Sequence, residues 1–477
     1  MARARTEAAT VRADVFFAMV DMQASLVRLL SGPALAALAW WMGPGIGLSE
    51  TASFTLAVTA WCAAWWLLEA APHAITALLP LALFPLAGVL SPRQVAEAYG
   101  NELILLLVGG AMLSKALEQA GAHRRLAVGM VRAFGGGGGR ALVFGFAAAA
   151  GLCSMWLSNT ATTLMLVPVA LAILQSYPDR RLAVPLLLSI CYGASIGGLG
   201  TPLGSPPNLV FMQVHSQTTG ESLGFSDWMA FGLPTVLLML PLAAMWLARG
   251  LRGSPSAALP ELGAWTTAEK RVLLVFGLVA LAWVTRTEPF GGWRAWLGLP
   301  NANDASVALL GVVAMALMPD GRGGQLLDWK SAERIPWGVM ILFGGGIAIA
   351  AAFQGSGLSD AAASVLSGAL DLPLPLKIAL IAISVSLLSE ITSNTATAVL
   401  MMPILAAAAV GMGLDPAVLM APAVLAASCS FMLPVGTAPN AIVFGTGLVP
   451  AQAMLRHGIA LNVIGAVVIT LVCWMVL

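Results

Sequence analysis

The sequence predicts an all-α polytopic membrane protein. It should have about eleven transmembrane helices, two re-entrant hairpins and broken helices, arranged as an inverted repeat. Three observations carry this. Of 477 residues, 59% are hydrophobic and only 9% are charged, against roughly 25% in a soluble domain. Several apolar runs are too long for one crossing. A polar motif recurs 235 residues downstream. The net charge of +1 argues against a nucleic-acid partner. The composition also excludes intrinsic disorder and a disulfide scaffold.

Residues 1–28 mix Arg3, Arg5, Arg12 and Arg28 with Asp14 and Asp21. They read as a cytoplasmic lead-in, not a removable signal peptide. The first half, 29–255, should hold spans near 29–46, 51–69, 73–90 and 101–120. A basic amphipathic stretch follows, with His123, Arg124, Arg125 and Arg132, then a five-glycine hinge at 135–139. A hairpin over 141–177, a broken helix over 183–218 and a span near 229–249 complete this half. The second half, 256–477, should hold spans near 271–286, 304–318 and 337–355, and an amphipathic stretch over 358–370. A hairpin over 374–411, a broken helix over 416–447 and a last span near 456–477 follow. The 37 residues of 141–177 would make about 55 Å of helix, against about 30 Å of hydrocarbon. That run must therefore fold back or break.

Charge sets an orientation. With the N-terminus cytoplasmic and both hairpins returning to their side of entry, 18 of the 23 basic residues fall inside. Arg93, Arg286, Arg294 and Lys377 fall outside, Lys115 lies in a span, and the C-terminus is outside. The cysteines Cys62, Cys153, Cys191, Cys429 and Cys473 all sit in apolar sequence and read as small membrane-core residues.

The repeat points to function. Ser158-Asn159-Thr160-Ala161-Thr162 returns as Ser393-Asn394-Thr395-Ala396-Thr397. Gly204-Ser205-Pro206-Pro207-Asn208 matches Gly436-Thr437-Ala438-Pro439-Asn440, 232 residues on. Gly109-Gly110 matches Gly345-Gly346, and these glycines read as close helix packing. In the orientation above the two halves are inverted. Inverted repeats with interrupted helices at matching places are a signature of secondary transporters, which bind at the membrane midplane between the breaks. Non-helical backbone is tolerated there only where protein or a water-filled cavity satisfies it. Free N–H groups at the helix starts suit an anion, and unwound carbonyls with Ser, Thr and Asn oxygens suit Na⁺.

These motifs, SNTATTLMLVPVA, SNTATAVLMMPI, GSPPN and SFMLPVGTAPNAIVFGTG, resemble the divalent anion–sodium symporter family of INDY-type carriers over roughly residues 50–477. The resemblance implies a homodimer in which a transport domain moves against a scaffold as an elevator. It also implies a di- or tricarboxylate or sulfate substrate and no organic cofactor. Carried over residue by residue, Ser158, Asn159, Thr160, Ser393, Asn394 and Thr395 would contact the substrate, with Ser205, Thr437 and Ala438 opposite. One Na⁺ site would use Ser154, Ser158, Asn159 and Gly204, and a second Ser389, Thr392, Asn394 and Gly436. Ser154 and Ser389 precede their motif serines by four residues, which places each pair on one helical face. Gly436 and Ala438 depart from the family pattern.

The candidate site residues include no Lys, Arg or His. Two Na⁺ ions would offset a dicarboxylate, which favours symport of a C4-dicarboxylate such as succinate or malate in a bacterial inner membrane. Na⁺-independent exchange by the same family, or a citrate or sulfate carrier, stays open. An intramembrane enzyme would need a motif such as HExxH. The four histidines His73, His123, His215 and His457 are scattered and form none. A channel would leave Na⁺-gradient dependence and counterflow unexplained, and in a carrier of another anion, such as arsenite, the doubled motif would not be expected. Glu390 is an intramembrane carboxylate, more in keeping with a hydrogen-bonding role in its hairpin than with a proton relay. Lys115 and Glu118 are spaced to pair along a helix.

Overall fold

The computed structural model describes residues 25–134, 138–176, 179–251, 263–361 and 372–477. Most of the expected N-terminal lead-in, part of the glycine hinge, the boundary between the halves and most of the 358–370 stretch lie outside these residues. Among the described residues the regular structure is helical, joined by turns and loops, apart from one isolated bridge, Pro319 to Gln325.

In chain order the helices are α1 (Ser25–Met42), α2 (Glu50–Leu67), α3 (His73–Leu86), α4 (Pro92–Tyr99), α5 (Glu102–Ala120), α6 (Ala122–Phe134), α7 (Gly139–Ser154), α8 (Asn159–Ser176), α9 (Ala183–Gly197), α10 (Pro206–Thr219) and α11 (Phe225–Ala248). The second half holds α12 (Thr267–Val284), α13 (Gly292–Trp296), α14 (Asp304–Leu317), α15 (Trp329–Ala332), α16 (Trp337–Ser356), α17 (Leu374–Ser389), α18 (Asn394–Gly411), α19 (Pro416–Ala427), α20 (Ala438–Phe444) and α21 (Ala451–Val476). Six stretches are long and apolar enough to cross a membrane: α1, α4–α5, α11, α16, α18 and α21. Six further apolar helices are shorter, including α7, α8, α17 and α19.

The expected single span at 73–90 is two short helical pieces that meet at Ala77. Helix α4 was absent from the sequence expectation. It lies in a charged segment, but Ser91 and Gln94 form a reciprocal capping box with Pro92 in the first turn, which starts a helix efficiently. The long runs 141–177, 183–218, 374–411 and 416–447 are each split into two helices, at 155–158, 198–205, 390–393 and 428–437.

Two groups of helices pack together. In one, α7 lies along α9, α19 along α17 and α18, and α21 along α11 and α17. In the other, α5 packs on α14, α12 on α14, and α16 on α3 and α4. Helix α16 also touches α10 and α18, joining the groups. Glycines allow the closest approaches. A Cβ on Gly345 would stand 2.8 Å from Ala77 O, and one on Gly197 would overlap the backbone of Gly151. The five cysteines are buried and free. Lys115 Nζ and Glu118 Oε2 pair at 2.7 Å.

Candidate functional site

The four chain breaks face one another. The 155–158 turn joins α7 to α8 and carries the first tip, Ser158-Asn159-Thr160. The 390–393 turn joins α17 to α18 and carries the second, Ser393-Asn394-Thr395. The interruptions at 198–205 and 428–437 lie opposite. One cavity of about 1010 Å³ is lined by both tips, by Gly204, Ser205, Pro206 and Pro207, by Gly436, Thr437, Ala438 and Pro439, and by Thr392. All nine expected substrate contacts thus border a single space, and Ser205 Oγ lies 3.2 Å from Ser428 Oγ, across the repeat. Helices α8, α10 and α18 begin at its wall, where first-turn N–H groups lack intrahelical acceptors.

Each break is held open by a mirrored lock. Asn208 Nδ2 donates to Gly198 O and Thr201 O, both at 2.8 Å. Asn440 Nδ2 donates to Ser430 O at 2.9 Å and Leu433 O at 3.0 Å. Every partner obeys the 232-residue offset, and both asparagines are fully buried. A carbonyl that leaves a helix inside a membrane must find another donor, and these amides supply it. The sequence reading quoted both asparagines within the motifs but gave them no role.

Behind the first tip, one end of the Asn159 amide lies 3.2 Å from Ala194 O, 3.3 Å from Gly204 O and 2.5 Å from Ser154 Oγ. With Nδ2 turned there, the amide donates to both carbonyls. With Oδ1 turned there, four oxygens converge, a donor set that fits a hard cation such as Na⁺. Ala194 is a member of this set that spacing could not reveal. Behind the second tip, Ser389 Oγ lies 2.9 Å from Asn394 Oδ1 and 2.5 Å from Ala427 O. Ser430 Oγ donates to Ser389 O at 2.7 Å and reaches Asn394 Oδ1 at 3.4 Å. Ser428 lies outside any quoted motif, and Ser430, though it opens the SFMLPVGTAPNAIVFGTG motif, was given no role from sequence.

Two expectations need correction. Ser154 does not share a helical face with Ser158, nor Ser389 with Ser393, because α7 ends at Ser154 and α17 at Ser389. Each serine instead meets the tip asparagine through the turn. The Thr392 hydroxyl borders the cavity residues but bonds to Leu388 O at 2.9 Å and Thr397 Oγ1 at 2.5 Å, so its oxygen is held by the hairpin itself.

Glu390 is 1% exposed. Its Oε1 accepts from Phe431 N at 2.7 Å, Met432 N at 2.9 Å and Asn462 Nδ2 at 3.0 Å, and Oε2 accepts from Leu433 N at 3.0 Å. The carboxylate therefore satisfies three successive amides of the second break, the hydrogen-bonding role expected of it. A Cβ on Gly436 would come 3.2 Å from Glu390 Oε2, so glycine there keeps the wall clear of this carboxylate.

The tip and break residues that line the cavity are uncharged, Glu390 lying behind them. Its other end carries Arg28, Glu69, Lys115, Glu118 and Arg334. Lys115 and Glu118 neutralise each other, while Arg28, Glu69 and Arg334 are exposed.

The sequence of the chain matches known proteins along most of its length. The citrate transporter family profile matches residues 63–421. The sodium-dependent dicarboxylate transporter SdcS of Staphylococcus saprophyticus is 38% identical over 475 residues, 94% of this chain and 91% of that protein. The protein of the same name from Staphylococcus aureus is 36% identical over 477 residues, 95% of this chain and 91% of that protein. Among solved structures, the Alcanivorax borkumensis YdaH transporter superposes with a TM-score of 0.56 at 16% identity, over 83% of this chain and 90% of that one. Neisseria gonorrhoeae MtrF superposes with a TM-score of 0.52 at 12% identity, over 80% of this chain and 82% of that one. At such identities these two speak for the fold alone. With three quarters of its length inside the family profile and near full-length relatives above 30% identity, the chain belongs to the citrate transporter family, in agreement with the divalent anion–sodium symporter resemblance of its motifs, and is an integral membrane transporter, not an enzyme.

Proposed function

We propose that the protein imports a C4-dicarboxylate together with Na⁺. The observation that carries this reading is the single cavity shared by both Ser-Asn-Thr tips and both helix breaks. A dianion there meets neutral donors: the Asn159, Thr160, Asn394 and Thr395 side chains, the hydroxyls of Ser158, Ser393, Ser205 and Thr437, the Ala438 backbone, and first-turn amides of α8 and α18. Such a site compensates two negative charges only with help from co-bound cations. The oxygens of Ser154, Ser158, Asn159, Gly204 and Ala194 form the first Na⁺ site, and those of Ser389, Asn394 and Gly436 the second. The names of the SdcS relatives, which state sodium dependence and a dicarboxylate, support both halves of this reading.

Arg28 and Arg334 belong to the basic-rich segments that the positive-inside rule assigns to the cytoplasm. On that orientation the cavity opens inward, the N-terminus is cytoplasmic and the C-terminus outside. The helices bearing the tips and breaks then move as an elevator against the group containing α5, α12 and α14, in a homodimer in a bacterial inner membrane. Hairpins α7–α8 and α17–α18 are re-entrant from opposite sides.

Proteoliposomes test the coupling. Labelled succinate is offered once with an inward Na⁺ gradient, and once without Na⁺ but with succinate inside. Uptake only in the first arm is expected. Uptake of equal rate in the second arm would replace symport with exchange.

A further inference from the structure

The end of α11 and the start of α21 form a cluster of positive charge outside the transport cavity. Arg249 follows the last residue of α11, and its guanidinium lies 3.2 Å from the centre of the Trp246 ring. Arg456 and His457 occupy the second turn of α21, which packs along α11. Helices α11 and α21 meet where Gly465 faces the Met239 side chain, and the electrostatic coupling of Arg249 to Arg456 puts both guanidiniums at one end of that contact. Neither guanidinium has a carboxylate within salt-bridge distance among the described residues. Trp246 Nε1 and His457 Nδ1 are buried without a hydrogen-bond partner among the described residues. Like charges gathered beside unused polar groups cost free energy unless an anion joins them.

The surface leading away from the cluster says which anion. Leu455, Ile459, Val463 and Val467 are exposed at four-residue intervals along α21, and Leu242 and Met245 are exposed on α11. This stripe faces hydrocarbon and ends at the two arginines. Basic pockets between transmembrane helices bind anionic headgroups, and the planar guanidinium matches phosphate oxygens two at a time. A free phosphate ion would make no use of the stripe.

We propose that Arg249 and Arg456 hold the phosphodiester headgroup of one anionic phospholipid, whose acyl chains lie along the α11–α21 stripe. The headgroup joins the ends of two helices that pack in the same group as the tips and breaks.

The test uses the purified full chain, delipidated in detergent and titrated with phosphatidylglycerol or phosphatidylcholine, with bound lipid counted by native mass spectrometry. One phosphatidylglycerol per chain should be retained in preference to phosphatidylcholine. A basic residue near an anionic surface contributes roughly fivefold in affinity. The single R249Q and R456Q variants should each lose about that much, and the double variant about thirtyfold. The R249K/R456K variant should keep the preference for phosphatidylglycerol, separating loss of charge from loss of fold. Excess inorganic phosphate should leave the lipid in place. Equal retention of the two lipids by the wild type, undiminished phosphatidylglycerol binding by the double glutamine variant, or displacement by inorganic phosphate would each overturn the assignment.

Discussion

Replacing Glu390 by Gln tests whether this carboxylate holds the second helix break. Gln has nearly the same shape, so packing is conserved and the change is electrostatic. Oε1 carries three hydrogen bonds and Oε2 one, so the best rotamer of Gln keeps its oxygen at the Oε1 position. Its NH₂ group then faces Leu433 N–H, donor against donor. Losing that charge-assisted bond costs about 1.5–3 kcal/mol. That figure already contains the cost of leaving the half-buried Leu433 N–H without its partner. The three surviving bonds weaken, because charge-assisted bonds are roughly twice as strong as neutral ones. Against this, a neutral side chain no longer bears the desolvation cost of a buried ion, several kcal/mol. The balance is a destabilisation of about 2–3 kcal/mol. At about 2 cal/mol/K per residue, 477 residues have an unfolding entropy near 1 kcal/mol/K, so Tm should fall by about 2–3 °C if the chain unfolds as one unit. Differential scanning fluorimetry in detergent reads this directly. Glu390→Ala, which strands three amides, should fall further. An unchanged Tm in both variants would show that the 431–433 segment is held by something other than Glu390.

Three further outcomes are expected. Asn159→Ala and Asn394→Ala should each abolish Na⁺-driven succinate uptake while size-exclusion profiles and helicity stay normal; wild-type uptake by either would remove that tip from the site. Ser154→Ala should raise the Na⁺ concentration for half-maximal uptake by about tenfold, the loss of roughly one hydrogen-bond-strength contact, and a shift in the substrate KM alone would place Ser154 outside a cation site. Gly197→Ala drives a methyl into the Gly151 backbone. Its cost is about 3 kcal/mol from overpacking, read as a lower Tm, and a neutral effect would mean that α7 and α9 separate more easily than their contact implies.

What the sequence disclosed, and what it hid, follows from how far apart the interacting groups are in the chain. The tips were legible because one motif occurs twice and because its polar residues interrupt apolar sequence. The breaks were legible from Pro and Gly at matching offsets. The partners of Glu390 were not, since they lie 41 to 43 residues away in the other chain break and, for Asn462, 72 residues away in α21. The misplacement of Ser154 and Ser389 has a local cause. A four-residue spacing implies a shared face only while the helix continues, and both helices stop at that serine. Asn208 and Asn440 stood in plain view within the motifs, yet their lock became apparent only when both acceptors were found to share the repeat offset. Ala194 contributes a backbone oxygen, which no side-chain pattern can announce.

The two halves match in backbone but not in charge. Position 155, which the 235-residue offset pairs with Glu390, is Met155. There the first break is tied differently: the Thr201 hydroxyl donates to Met155 O and accepts from Gly204 N at 3.2 Å. The second break uses a buried carboxylate, and that carboxylate consumes the amides of Phe431, Met432 and Leu433, which would otherwise be free donors. An anion entering the cavity therefore finds the second wall already supplied with one negative charge and three fewer amides. Its contacts on that side are left to Thr437, Ala438 and the Asn394 tip. A cation on the same side gains from the same arrangement, since opposite charges in a poorly solvated site attract strongly. If the proposed symport is right, the second Na⁺ site is the one that a fixed charge of the protein favours, and the first depends more on the dianion itself. Neutralising Glu390 should then weaken Na⁺ binding at the second tip more than at the first, beyond what its structural cost alone would produce. Equal loss at both sites would reduce Glu390 to the lock described above.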